Sequence, residues 1–166
     1  MERTITITLQ KPLANLTEIT LREPTVDEMA QFTMDTAKFG EPRAAKSLIA
    51  KIGQVEVADV GQLGTRDYGS CQRFVNGLLE ANEQVLDGDE ATLTLSTPLP
   101  GLAEIKLREP TLDQFARLTT ESEKLGEIIA ARNLIAAMNK LEPKLVGRMG
   151  VSDFKACDRY IARFFD

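Results

Sequence analysis

Two stretches of the chain alternate apolar and polar side chains, and this alternation predicts β-strands. Residues 4–9 read TITITL and residues 91–96 read ATLTLS, which is the two-residue period of a half-buried strand. A second short run follows each of them, EITL at residues 18–21 and EIKL at residues 104–107. Each pair of runs therefore predicts a β-hairpin, with a loop of about six to eight residues.

A capping-box sequence follows each hairpin and predicts the start of a helix. Thr25 is followed three residues later by Glu28, and Thr111 is followed in the same way by Gln114. In such a box the threonine accepts a hydrogen bond from a backbone N–H at the helix start, and the third residue reaches back to the cap. We assign the whole REPTxD block to this local geometry. Contact of its arginine and glutamate with a partner protein is the alternative.

Three apolar stripes with helical spacing follow in each copy, and they predict about three helices. The first helix is expected to stop at Gly40 and Gly126, since glycine is common at helix ends. The last stripe contains Cys71 and Cys157, which we therefore predict to be small buried hydrophobes rather than reactive thiols. The first stripe comprises Val26, Met29 and Phe32 in one copy and Leu112, Phe115 and Leu118 in the other.

The same order of elements occurs twice because the chain is a tandem duplication. LREPT at residues 21–25 returns at residues 107–111, an offset of about 86 residues, and the register then holds to the end of the chain. Gly61 and Gly147 are one of the matching pairs. Two copies are too few for a solenoid, whereas each copy is long enough to close a small core of its own.

These patterns together predict an α+β fold of two repeated modules, each a β-hairpin followed by about three α-helices. We place the first module at residues 1–82 and the second at residues 91–166. The acidic stretch at residues 83–90 is expected to be a linker. It lacks the ligand spacing of a calcium-binding loop.

Composition narrows the function to classes that need no catalytic site. Histidine is absent, which removes the commonest general base and metal ligand. We find no candidate catalytic residue, cofactor site or metal site, and we predict that the protein is not an enzyme. The net charge of −5 argues against nucleic-acid binding, and no apolar run is long enough for a membrane span. Without a recognisable signal peptide or CxxC motif, the expected location is the cytosol.

The order of motifs resembles the bacteriophage tail assembly chaperone family of Mu-like and related phages. The first copy carries this resemblance in EITLREPTVDEM and, further on, in SLIAKIGQVEVADVGQLGTRDYGSCQRFVNGLL. The second copy carries it in EIKLREPTLDQF and in NLIAAMNKLEPKLVGRMGVSDFKACDRYIARFF. Nearly the whole chain is covered, once per copy. The duplication is a departure, since members of this family usually have one copy.

The resemblance implies an assembly factor in the host bacterial cytoplasm that binds the phage tape-measure protein and keeps it soluble during tail assembly. The chain itself and a product extended by ribosomal frameshifting are further candidate partners. The alternatives are a structural tail component or a regulatory adaptor built from two related domains. No nucleic-acid or membrane partner is expected.

A chaperone for a helical partner needs apolar side chains that can receive amphipathic helices. We take six residues from the hairpin loops and the chain end as candidates for this partner-binding role. The alternative for the leucines is that they cover the core of their own module. The six candidates are Leu13, Leu16, Leu99, Leu102, Phe164 and Phe165.

Overall fold

In the computed structural model, which describes residues 3–165, a β-hairpin followed by helices occurs twice. This is the predicted α+β architecture of two repeated modules. The first module consists of β1 (Thr4–Leu13), β2 (Leu16–Arg22), α1 (Val26–Phe39), α2 (Glu41–Gly53), α3 (Val57–Val60) and α4 (Thr65–Leu78). The second consists of β3 (Glu90–Leu99), β4 (Leu102–Arg108), α5 (Leu112–Leu125), α6 (Glu127–Asn139), α7 (Pro143–Val146) and α8 (Val151–Ala162).

The strands of both hairpins are longer, and the turns between them are shorter, than the alternation predicted. Leu13 pairs with Leu16 and Leu99 pairs with Leu102, so only two residues form each turn. The predicted loop of six to eight residues is therefore wrong. The register shifts between Thr8 and Leu13 and at the matching place in the second hairpin, so the strand continues past its proline. A two-stranded ribbon tolerates proline because each strand has an open edge where no N–H is needed.

The helix boundaries follow the predicted local signals. Both capping boxes are formed, with Glu28 N–H bonded to Thr25 and Gln114 N–H bonded to Thr111. The predicted stop after the first helix is confirmed, because Gly40 ends α1 with a φ of 85° that favours glycine. The same glycine begins α2, so a single residue joins the two helices. Each module has the three longer helices predicted from the apolar stripes, and a short helix, α3 or α7, precedes the last of them.

Each module has a hydrophobic core in which its hairpin packs against its helices. The predicted burial of Cys71 and Cys157 is confirmed, because both side chains are inaccessible to solvent. The first core is formed by Leu9, Ile19, Leu21, Leu48, Ile49, Ala50, Ile52, Val60, Cys71 and Val75. The second is formed by Val26, Leu93, Leu95, Ile105, Leu107, Ala131, Leu134, Ile135, Ala136, Val146, Met149, Phe154, Ala156, Cys157, Tyr160 and Ile161.

The second core includes one residue from the first module. Val26, at the start of α1, is fully buried among residues of the second module. Its counterpart Leu112 is 80 % exposed, and Phe115 is 39 % exposed. The first helix therefore buries its apolar stripe differently in the two copies, although the sequence places equivalent residues there. The reason is that α1 has a neighbouring module to pack against, and α5 has none within residues 3–165.

The segment between the modules is held on the surface of the second. Thr94 N–H donates to the Gln84 side chain, which donates in turn to the Thr94 carbonyl at 2.6 Å. The Tyr160 hydroxyl donates to the Gly88 carbonyl at 3.0 Å. Arg159 binds the carbonyl of Asn82 at 3.1 Å. These bonds restrict the movement of the segment relative to α8 and β3.

Candidate partner-binding surfaces

The four candidate leucines lie at the tips of the two hairpins, one facing pair in each module. Leu13 and Leu16 are partners across the first turn, and Leu99 and Leu102 are partners across the second. All four are partly buried. Leu16, Leu99 and Leu102 pack against the core of their own module, as the alternative interpretation of these leucines holds.

The two candidate phenylalanines lie just after α8, in different surroundings. Phe164 packs against the core of the second module and meets the Tyr160 ring edge-on at 5.4 Å. Phe165 is 41 % exposed and stacks on Phe115 of α5, with 4.6 Å between the ring centres. The structure thus brings Phe165 to the exposed face of α5, a contact that sequence reasoning did not predict.

Sequence reasoning missed a second pair of exposed apolar residues, at the tips of the helical hairpins. Phe39 and Leu125 occupy the same position in the two modules, directly before the glycine that joins two helices, and each is 47 % exposed. Lys38 and Arg43 lie about 5 Å from the Phe39 ring centre, within cation–π range. The signal that could have identified this pair is an apolar residue retained beside the helix-ending glycine in both copies.

The start of α1 docks onto the turn between α7 and α8 of the other module. Val26 N–H donates to the Met149 carbonyl and Asp27 N–H donates to the Gly147 carbonyl, each at 3.0 Å. Val151 N–H donates to the Pro24 carbonyl, also at 3.0 Å. These backbone bonds form a junction between the modules. The buried side chain of Val26 adds an apolar contact to it.

Charged side chains complete the module junction. The Glu23 carboxylate accepts a hydrogen bond from Ser152 N–H at 2.7 Å, at the start of α8. Asp27 pairs with Arg132 of α6, with 2.7 Å between Oδ1 and Nη1. The interpretation of the REPTxD block as purely local is therefore wrong for its first copy. Local geometry explains the capping box but leaves Glu23 and Asp27 free to bind another module.

Glycines at the turn make this close approach feasible. A Cβ atom placed on Gly147 would lie 2.2 Å from Asp27 Oδ2, and one on Gly150 would lie 2.8 Å from the Glu23 carboxyl carbon. At the counterpart Gly61 the nearest atom would be 3.3 Å away. The matched glycines were visible in the sequence, but their role becomes clear only when the docked segment is in place.

Burial and hydrogen bonds shift the pKa values of Glu28 and of both cysteines. Burial by itself raises the pKa of Glu28, but hydrogen bonds from Arg22 and from Thr25 N–H outweigh it and lower the pKa. Burial, with help from the nearby Asp67 carboxylate, raises the pKa of Cys71 to about 11. Burial likewise raises the pKa of Cys157, so both thiols stay protonated at neutral pH.

Residues 3–165 contain neither a metal-binding cluster of these side chains nor a membrane-spanning helix. No group of three or more cysteine, aspartate or glutamate side chains is placed to hold a metal ion. Among the same residues, no helix has the combined length and apolar character needed to cross a membrane.

Comparison with family models gives a match that covers both modules. The family described as phage tail assembly chaperone proteins, E, or 41 or 14, matches residues 6–80 and again residues 92–166. No curated protein matches the chain. No solved structure matches it either. The two family matches follow the tandem repeat and leave only short segments uncovered. The chain therefore belongs to the phage tail assembly chaperone family and carries the family's module twice.

Proposed function

We propose that the protein binds the tape-measure protein of a phage tail and keeps it soluble in the host bacterial cytoplasm until the tail tube assembles. The observation that carries this proposal is the match of both modules to the tail assembly chaperone family. A chaperone acts by binding, which agrees with a chain that has no histidine and two buried, protonated thiols.

The exposed apolar residues suit a partner with amphipathic helices. Phe39 and Leu125 project from equivalent positions, so one chain offers two similar contacts to a long partner. Linking two contacts raises the effective concentration of the second once the first has formed. Leu13 at the first hairpin tip and Phe165 after α8 provide further apolar surface. Such a surface can cover apolar helical faces that would otherwise aggregate.

Co-expression with the tape-measure protein of the same tail tests the proposal. We expect the tape-measure protein to be insoluble alone and to appear in a soluble complex of defined mass when the two are co-expressed. Size exclusion with light scattering gives the stoichiometry. An aggregated tape-measure protein beside an unaccompanied chaperone chain would contradict the proposal.

Two substitutions test which apolar residues contact the partner. Phe39→Ser and Leu125→Ser in one chain are expected to weaken the complex strongly, because they remove both repeated contacts. Val85→Ser is the matched control, since Val85 is 91 % exposed but has no apolar counterpart under the repeat offset. The measurement is the yield of soluble tape-measure protein co-expressed with the parent chain, the double variant or the Val85→Ser control. Equal yields in all three cases would exclude Phe39 and Leu125 as contacts.

The structural-component alternative predicts a different location. A tail component remains in the finished particle, whereas an assembly chaperone is absent from it. Mass spectrometry of purified virions separates the two, and finding this chain at stoichiometric amounts would favour the structural alternative.

A further inference from the structure

Residues 23–27 of the first module are the docking segment of the module junction. The second module carries the matching segment at residues 109–113, and nothing within residues 3–165 covers it. Val26 is fully buried in the module junction, whereas Leu112 at the same position is 80 % exposed. Glu109 and Asp113, the counterparts of the junction acids, are also exposed. The start of α5 thus carries the same kind of docking residues as the junction, but no receiving turn within residues 3–165 contacts them.

The receiving turn of the junction is formed by residues 147–152 of the second module. The first module carries the matching turn at residues 61–66, and no docking segment within residues 3–165 lies over it. Gly147 and Met149 are buried beneath α1, whereas their counterparts Gly61 and Leu63 are exposed and half-buried, respectively. A Cβ atom on Gly64 would meet nothing nearer than 3.4 Å. An open depression of about 400 Å³ lies beside this turn, lined by Gln10, Lys11, Gly64, Thr65, Arg66 and Asp67.

The two uncovered faces have opposite charges at the positions that the repeat aligns. Lys46 occupies the place of Arg132, and Asp113 occupies the place of Asp27. The cations Lys11 and Arg66 line the depression that corresponds to the site where Glu23 binds Ser152 N–H. The Asp67 carboxylate also lines it and accepts hydrogen bonds from the backbone N–H groups of Gln10 and Lys11. An incoming Glu109 would therefore meet cations in addition to the backbone N–H groups at the start of α4.

We propose that these two faces bind each other between copies of this chain, so that the internal junction repeats from one molecule to the next. In this contact Leu112 of one copy enters the core of the first module of its neighbour, as Val26 enters the second. Thr65 N–H would donate to the Pro110 carbonyl, and Asp113 would pair with Lys46. The contact is head-to-tail and either closes into a ring or continues as a filament. It involves this chain alone and does not depend on the tape-measure proposal.

The purified chain tests the proposal through its mass in solution. Sedimentation velocity and light scattering over micromolar to millimolar protein at low salt are expected to show dimers or larger assemblies. Leu112→Asp is expected to weaken the association by on the order of a hundredfold, because the carboxylate would be buried without a partner. Val85→Asp, at an apolar residue that is 91 % exposed, is the control and should associate like the parent chain.

Mixing two disabled chains tests the head-to-tail arrangement. Leu112→Asp blocks one face, and Gly61→Glu blocks the other by placing a side chain where Asp113 must approach. Each variant alone is expected to be monomeric, and the mixture is expected to form a one-to-one complex through the faces that remain intact. Circular dichroism confirms that both variants stay folded.

Three outcomes would overturn the proposal. A parent chain that remains monomeric over the whole concentration range is one, including a chain that associates only when a tail protein is added. Self-association of either variant alone, at the affinity of the parent chain, is the second. Absence of a complex in the mixture, while the parent chain associates, is the third.

Discussion

Asp27 Oδ1 lies 2.7 Å from Arg132 Nη1, and this ion pair joins the first helix of one module to the second helix of the other. The Asp27 side chain is 44 % exposed, so the pair itself contributes at most about 1 kcal/mol. The backbone bonds and the close approach over Gly147 give the junction its specificity.

Gly147→Ala is expected to lower the free energy of unfolding by about 1–2 kcal/mol, because the new methyl group displaces Asp27 and breaks its ion pair. Gly61→Ala is the matched control, and its effect should stay within about 0.5 kcal/mol because no docked segment lies over it. Urea denaturation of dilute protein measures both. Equal effects of the two substitutions would contradict the role assigned to Gly147.

Val26→Ala is expected to cost about 2–3 kcal/mol, since it removes two buried methyl groups from the core of the second module and leaves a cavity. Leu112→Ala, at the same position in the repeat, should change stability by less than about 0.5 kcal/mol in dilute protein. Denaturant unfolding of both variants gives the comparison. A larger cost for Leu112→Ala than for Val26→Ala would mean that the burial of these two helices is assigned wrongly.

Glu28 is expected to make the stability of the protein depend on acidity. Its pKa in the folded chain lies below the ordinary value of about 4.5, owing to the bonds from Arg22 and Thr25 N–H. The stabilisation is therefore fully present above that ordinary value and is lost as the pH falls through the lower folded pKa.

The substitution Glu28→Gln is expected to cost about 1–2 kcal/mol at neutral pH and progressively less in acid, where Glu28 of the parent chain also becomes neutral. The second module provides the reciprocal control, because Gln114 occupies this position beside Arg108. Gln114→Glu should introduce acid-dependent stabilisation of the same sign. A constant difference between parent and Glu28→Gln at every pH would show that the carboxylate charge is not involved.

Both cysteines are expected to resist thiol reagents in the folded protein. The rise in the pKa of Cys71 from 9.0 to about 11 alone reduces its thiolate about a hundredfold near neutral pH, and burial slows access further. Ellman's reagent should report no rapid thiol in native protein and two in denaturant. Rapid labelling of either thiol under native conditions would contradict its buried position.

Features that depend on residues a few positions apart could be predicted from the amino-acid sequence. The capping boxes at Thr25 and Thr111 and the stop at Gly40 form because the hydrogen bonds involved span one helical turn. The repeat determined the number of modules, and helical spacing placed Cys71 in a core. The hairpin turn was predicted less well, because the register shift before Leu13 depends on pairing across the ribbon.

The different surroundings of the two copies of the REPTxD block depend on contacts between distant parts of the chain. Residues 21–28 and 107–114 have nearly identical sequences, yet Val26 is buried and Leu112 is exposed. Local sequence therefore cannot account for the difference. The difference arises because a chain of two modules forms one internal junction, which uses one docking segment and one receiving turn. The docking segment of the second module and the receiving turn of the first stay uncovered within residues 3–165. Burial of Leu112 therefore depends on a second surface that can cover it, rather than on the residues of its own segment.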